Sequence, residues 1–174
     1  MNAFLQSTRK IFAQYKGYAD KTFAQLTVDQ LNWQPDHLSN SIAIIVRHIN
    51  GNLRSRFTDF LSTDGEKPWR NRDAEFEGGY SSQEEMLMDW EGSWSVLFSL
   101  LDDLNEDDLS STVLIRNEPH TVTDAIQRQL AHYASHIGQI IYIGKMIKQS
   151  DWKTLSIPRG GSAAFNQEKS SGKA

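Results

Sequence analysis

Residues 121–149 read TVTDAIQRQLAHYASHIGQIIYIGKMIKQ. Within them Ile126, Leu130, Tyr133, Ile137, Ile140, Ile141, Tyr142 and Met146 recur at the spacing of one helical face. Thr121 or Thr123 offers an N-cap hydroxyl. The segment predicts one long amphipathic helix, and three other stretches repeat its pattern. Residues 2–26 place Phe4, Leu5, Ile11, Phe12, Tyr15, Ala19, Phe23 and Leu26 on a stripe. Residues 39–61 do the same with Ile42, Ile45, Val46, Ile49, Leu53, Phe57 and Phe60. Residues 82–104 do so with Met86, Leu87, Trp90, Trp94, Leu97, Leu101 and Leu104. No strand-like alternation of comparable length occurs. The expectation is an all-α protein, an up-and-down four-helix bundle over residues 1–149.

The connections carry their own signals. Thr27 with Gln30, and Ser82 with Glu85, have the spacing of capping boxes, the first for a short helical turn ended by Trp33 and Pro35. Residues 62–81, STDGEKPWRNRDAEFEGGYS, form a long inter-helix loop. Its Trp69, Phe76 and Tyr80 predict an ordered segment lying over an end of the bundle. Residues 111–122, STVLIRNEPHTV, read as a small hairpin around Asn117-Glu118. Residues 150–174 form a tail. Its part DWKTLSIPRGGSAAFN is expected to dock, and the last eight residues, QEKSSGKA, to be disordered.

Composition narrows the function. The chain has 174 residues, 39% hydrophobic and 23% charged, which suits one soluble domain. A net charge of −4 argues against nucleic acid or an anionic membrane as the main partner. With no cysteine there is no disulfide, thiolate nucleophile or iron–sulfur cluster, so any metal must be held by His, Asp or Glu. The opening MNAFLQSTRKIF carries charge where a secretory segment is apolar, and no apolar run is long enough to span a bilayer. The expected location is the cytoplasm.

Five histidines remain: His37, His48, His120, His132 and His136. His132 and His136 form an HxxxH pair. Four residues turn a helix by about 400°, so the two imidazoles lie about 40° apart and one turn apart in height, an arrangement suited to one first-row metal ion. Ala125, Gln129 and Gln139 share their strip at the border of the apolar face. His48 occupies a similar border, with Ser41, Asn52 and Ser55 on its strip. Small and polar neighbours leave room for a pocket around Asn52 and Gln129. Three neutral imidazoles on facing helices would make an open metal site, and all-imidazole ligation suits zinc, nickel, copper or iron. The bland alternative is a set of unrelated surface and core histidines. His37 and His120 read as surface residues.

At these residues the sequence resembles the DinB-like (DinB/YfiT) superfamily of bacterial four-helix bundles. The resemblance rests on RHINGN around His48 and LAHYASHIGQIIYIGK around His132 and His136. It extends to an uncharacterised subfamily through SIAIIVRHINGNLRSRFTDFL, DGEKPWRNRDAEF and LSIPRGGSAAFN, nearly the whole chain. The resemblance implies that His48, His132 and His136 hold a divalent metal, zinc or nickel first and iron after them, and that the protein is a homodimer. Some superfamily members are thiol S-transferases using bacillithiol, mycothiol or a related small-molecule thiol.

Three functional readings therefore stand at this point. One is a metal-dependent transferase or hydrolase using a low-molecular-weight thiol, with Arg54, Arg70, Arg72 and Arg159 as candidate clamps for the thiol's carboxylates. Arg159 with Gly160 and Gly161 either presents a cation and backbone amides to an anion or is merely a turn. No Asp or Glu shares the His132/His136 strip, so no acid or base partner is visible. The second is a non-catalytic metal-binding or stress-response dimer in which the metal is structural or sensed. The third has metal-free histidines and a role in dimerisation only, with Trp69, Trp152 and Phe165 as interface anchors.

Overall fold

The computed structural model describes residues 2–171. It is an all-α bundle with one small two-stranded sheet. The elements in chain order are α1 (Ala3–Phe23), α2 (Val28–Asn32), α3 (Ile42–Phe57), α4 (Gln83–Asp103), β1 (Thr112–Ile115), β2 (Glu118–Thr121), α5 (Val122–Lys148) and α6 (Ser162–Ser170). Single 3-10 turns at Asp73–Phe76, Asp107–Ser110 and Gln149–Asp151 punctuate the connections. Among the described residues no helix is long and apolar enough to cross a membrane.

α3 packs against α4 and α5, and α1 packs against α5 and α4. Helices that follow one another in sequence, α1 with α3 and α4 with α5, thus occupy opposite corners. The two crossing connections, one through α2 and one through the hairpin, leave α3 and α5 side by side. That adjacency positions the histidines.

Capping decides where the helices begin. Thr27 and Gln30 make the expected capping box, Thr27 N donating to Gln30 Oε1 at 3.0 Å and Gln30 N to Thr27 Oγ1 at 3.3 Å. Ser41 caps α3 by accepting from Ile44 N, so the helix starts at Ile42 and not at Ser39. It stops at Phe57 instead of Leu61, because Thr58 is extended and Asp59 takes a left-handed φ of 49°. Ser82 caps α4, but Glu85 does not close the box on Ser82. Its carboxylate accepts instead from Ser81 N and Ser81 Oγ. Thr121 caps α5, while the Thr123 hydroxyl donates to Leu109 O.

The core is rich in aromatic rings. Trp94 is fully buried between Phe12, Trp90, Phe98 and Tyr133, with ring centroids 5.3–6.2 Å apart. Phe23 meets Trp90 edge to face at 5.4 Å. Two polar atoms of this cluster are anchored, Trp90 Nε1 donating to Asp20 at 2.8 Å and Tyr133 Oη to Asn52 Oδ1 at 2.8 Å.

The hairpin forms with its turn one residue earlier than expected, at Arg116-Asn117, both with φ near +60°. The Asp64 carboxylate accepts from both turn amides, at 2.9 and 2.7 Å, and Gly65 N donates to Leu114 O at 2.8 Å. The loop over 62–81 is thereby stitched to the hairpin. It does not lie over an end of the bundle. Its 3-10 turn packs on the flank of α3 at the level of His48, and only Tyr80 of its three aromatic residues is buried, Trp69 being 57% exposed.

The tail departs furthest from expectation. Trp152 packs on Gly144, and Lys153 exchanges two hydrogen bonds with the Gln25 side chain. Beyond that point docking ceases, since α6 buries no residue. The reason is composition: SAAFNQEKS has a single large apolar side chain, Phe165. Disorder is not found for residues 167–170, which complete α6; residues 172–174 lie outside the described residues.

Removing the ring at the aromatic crossing should be costly. Trp94→Ala is expected to lower unfolding free energy by about 3–5 kcal/mol, read as an earlier urea midpoint with helical circular dichroism retained in water.

Candidate metal centre

The centre is built from the middle of α3 and the middle of α5. His48 Nε2 lies 3.3 Å from His132 Nε2, and His136 Nε2 lies 3.0 Å from the same atom. One nitrogen from each of the three falls within 4.8 Å of the other two. Ligands held about 2.0–2.1 Å from a zinc ion at tetrahedral angles stand about 3.3 Å apart, so the spacing fits.

The outer hydrogen bonds sharpen that fit. His48 Nδ1 lies 2.9 Å from Glu75 Oε2, and His136 Nδ1 lies 2.9 Å from Gln139 Oε1. A carboxylate and an amide oxygen only accept, so each Nδ1 must carry the proton. Both Nε2 atoms then aim lone pairs at His132 Nε2, which can donate one proton at most. At least one lone pair is left without a donor, and a cation at the centre satisfies it. Carboxylate-to-histidine and amide-to-histidine contacts of this kind orient metal-binding imidazoles.

Glu75 comes from the loop, outside any helical strip, and supplies the acidic partner that the sequence did not reveal. It reaches His48 because α3 has Gly51 beneath it; a Cβ there would lie 2.1 Å from Glu75 Oε1. Arg70 grips the same carboxylate, Nε to Oε1 at 2.7 Å and Nη2 to Oε2 at 2.9 Å. Burial pushes the Glu75 carboxyl up, but the hydrogen bonds from His48 and Arg70 outweigh it and hold its pKa below the usual glutamate value. The Phe76 ring covers the other side of His48, 5.0 Å between centroids.

The imidazoles of α5 are held neutral. Burial, then the charges of His136 and His48, push the His132 pKa down to about 3. Burial lowers that of His136 as well, partly offset by its hydrogen bond to Gln139. Neutral imidazole is the form that ligates a metal.

A cavity of about 220 Å³ adjoins the centre, and His48 and His132 are part of its wall. Asn52 and Gln129 line it, Asn52 with its Oδ1 engaged by Tyr133. Arg70 and Arg72 line it too, joined by Arg56, Arg116 and Arg128, which sequence reasoning did not select. Arg159 does not join them: it is exposed in the tail and outside the cavity wall, because the chain past Lys153 no longer packs on the bundle. Arg54 faces another hollow, bound to Asp89 at 2.5 Å. His37 is exposed, and His120 pairs with Asp124 at 2.5 Å, apart from the three-histidine group.

Comparison with known proteins gives a family and a fold. Residues 1–161 match the family described as "Protein of unknown function (DUF1572)". A solved structure, "Crystal structure of the conserved protein of locus from Enterococcus faecalis", superposes with a TM-score of 0.65 at 18% identity, covering 84% of this chain and 97% of that one. At that identity the likeness is one of fold. A search of curated proteins returns no match.

Two outcomes follow from the geometry of the metal-free protein. Gly51→Ala should displace Glu75 and move His48 away from its Nδ1–H tautomer, read by long-range proton–nitrogen NMR. The second concerns acid. Between its ordinary pKa of 6.5 and about 3, an unfolded His132 takes up a proton that the folded one refuses. Stability is therefore full above that window and falls as pH drops into it. Metal-free wild type should lose more stability between pH ~6.5 and ~4.5 than His132→Gln does, measured by urea titration.

Proposed function

We propose a function for this chain, which belongs to the DUF1572 family, from the chemistry of its histidine centre. The protein binds one divalent metal ion through His48, His132 and His136, zinc or nickel first and iron as the third candidate. The ion serves a transferase whose co-substrate is a low-molecular-weight thiol such as bacillithiol. The observation that carries this reading is the convergence of three Nε2 atoms, two of them committed to lone pairs by Glu75 and Gln139.

A metal held by neutral nitrogens lowers the pKa of a thiol or water bound to it and so supplies a nucleophile at neutral pH. The protein's own residues do the positioning. Glu75 fixes the His48 ring and its tautomer, and Gln139 fixes His136. The adjoining cavity admits a ligand from the side of His48 and His132. The chain contains no cysteine, which suits a thiol that arrives from solution. The resemblance to the DinB-like superfamily, where thiol S-transferases occur, supports the same chemistry.

The second reading, a structural metal in a non-catalytic protein, is disfavoured by the cavity. Structural zinc sites are closed by four protein ligands, whereas this group has three, two of them in the wall of an open space.

Elemental analysis of untagged protein should give about one equivalent of zinc, nickel or iron. The His48→Ala/His132→Ala double variant should give none while keeping its helical signal. Wild type that stays metal-free after reconstitution with zinc or nickel would overturn the reading. Cobalt-substituted protein titrated with a small thiol should develop thiolate-to-cobalt charge-transfer absorbance. No such band, together with collapse of the fold on chelation, would favour the structural role.

A further inference from the structure

The cavity beside the histidines carries positive charge that its surroundings leave uncompensated. Arg56, Arg70, Arg72, Arg116 and Arg128 all line it. Two carboxylates answer them: Glu75 holds Arg70, and Glu66 holds Arg56 and Arg116. Arg72 rests over the Phe76 ring, and neither Arg72 nor Arg128 has an ion-pair partner among the described residues. The excess runs against the sign of the chain, whose net charge is −4. A narrow hollow walled by one sign of charge concentrates counter-ions.

The wall also contains polar atoms that lack partners. Arg56 is 6% exposed, and its Nε–H meets no acceptor; Gln129 is 4% exposed, and its Oε1 meets no donor. A buried polar group left without a partner is destabilising; a ligand oxygen would partner the Arg56 Nε–H, and a ligand hydroxyl the Gln129 Oε1. Burial lowers the Arg56 pKa, and repulsion from Arg70 and Arg116 adds to that against the pull of Glu66. The guanidinium gains from any anion brought near it.

Size limits what can enter. At about 30 Å³ per water, a space of about 220 Å³ holds roughly seven waters. That accommodates a small anionic group, not a polymer.

We propose that this cavity is an anion-binding subsite of the histidine centre, taking a dianionic oxygen group of the substrate or co-substrate, with Arg72 and Arg128 as clamps and Arg56 and Gln129 as its buried floor. The dianion is a phosphate group or a pair of carboxylates, two sources of the same chemistry. The proposal deepens the metal reading and rests on it only for the word subsite, since the arginines attract an anion without the ion.

Calorimetry on the full chain tests it, using inorganic phosphate, succinate and, as a monoanion control, acetate at constant ionic strength. Each is titrated into chelator-treated and into nickel-loaded protein. Dianions should bind both forms, and more tightly than acetate. Phosphate ahead of succinate identifies a phosphoryl group, and the reverse identifies a dicarboxylate. The Arg72→Gln/Arg128→Gln double variant should lose about tenfold or more in affinity. Its melting temperature without anion should fall little, because neither side chain is ion-paired and Arg72, the one resting on a ring, is exposed. Dianion binding to chelated protein that takes up no metal would support the arginine site while refuting the metal centre. Three outcomes overturn the proposal. They are no dianion binding in either form, undiminished binding by the double variant, and binding confined to the nickel form with acetate equal to the dianions.

Discussion

The hydrogen bond between His48 and Glu75 is the constraint on which the site depends. It joins residues 27 apart in sequence, inside the protein, and demands a charged carboxylate in a place that penalises charge. The fold meets that demand by enclosing the carboxylate with Arg70 and His48. It also fixes the backbone around it: Arg47 donates to Ala74 O at 2.9 Å, and Asn71 Oδ1 accepts from Ala74 N. Further along, Tyr80 donates to Asp89 at 2.5 Å, and Asp64 ties the loop's other end to the hairpin. The twenty residues of the loop thus hold one carboxylate against one imidazole.

This explains why α3 looks unlike a surface helix. It is buried on nearly every side, by α4, by α5 and by the loop, and its buried set includes His48, Asn50, Asn52, Ser55 and Arg56 beside Ile42, Ile49 and Leu53. Such polar groups destabilise a core unless they find partners, and most do. Asn52 meets Tyr133, Ser55 donates to Gly65 O, and Asn50 donates to Asp89. Each bond fixes one neighbour of α3 relative to the others. Of the six buried side-chain atoms left without a partner among the described residues, two, Arg56 Nε and Gln129 Oε1, belong to residues of the cavity wall.

The helices and the three histidines were legible because they depend on local periodicity. An HxxxH pair fixes its own geometry within one turn, and the border position of His48 followed from the same 3.6-residue arithmetic. Glu75, Arg56, Arg116 and Arg128 were not legible, because their meeting depends on the path of a loop and a hairpin that obey no period. One local clue existed. Gly51 sits inside a helix, where glycine costs about 1 kcal/mol relative to alanine, three residues after His48. A glycine there announces that something must approach closely, though not what. The tail differs for another reason: the chemistry of Arg159 is local, but the packing that would carry it to the bundle ends near Trp152 and Lys153, and Ile157 and Phe165 beyond stay exposed.

The two proposals are coupled through Coulomb's law. A divalent cation at the histidines and five guanidinium groups around the adjoining hollow repel one another, most strongly at Arg56 and Arg70, since Arg72, Arg116 and Arg128 are exposed to solvent. Glu75 and Glu66 offset part of it, but both are already shared among Arg70, His48, Arg56 and Arg116. The arrangement is electrostatically incomplete until an anion lies between the cation and the arginines. Thermodynamic linkage then requires reciprocity: an anion that binds more tightly when the metal is present must tighten the metal by the same factor. A ligand with an anionic end in the cavity and a donor atom at the metal is favoured over one with either feature alone, so specificity would arise from the pairing of two sites that neither helix face contains by itself.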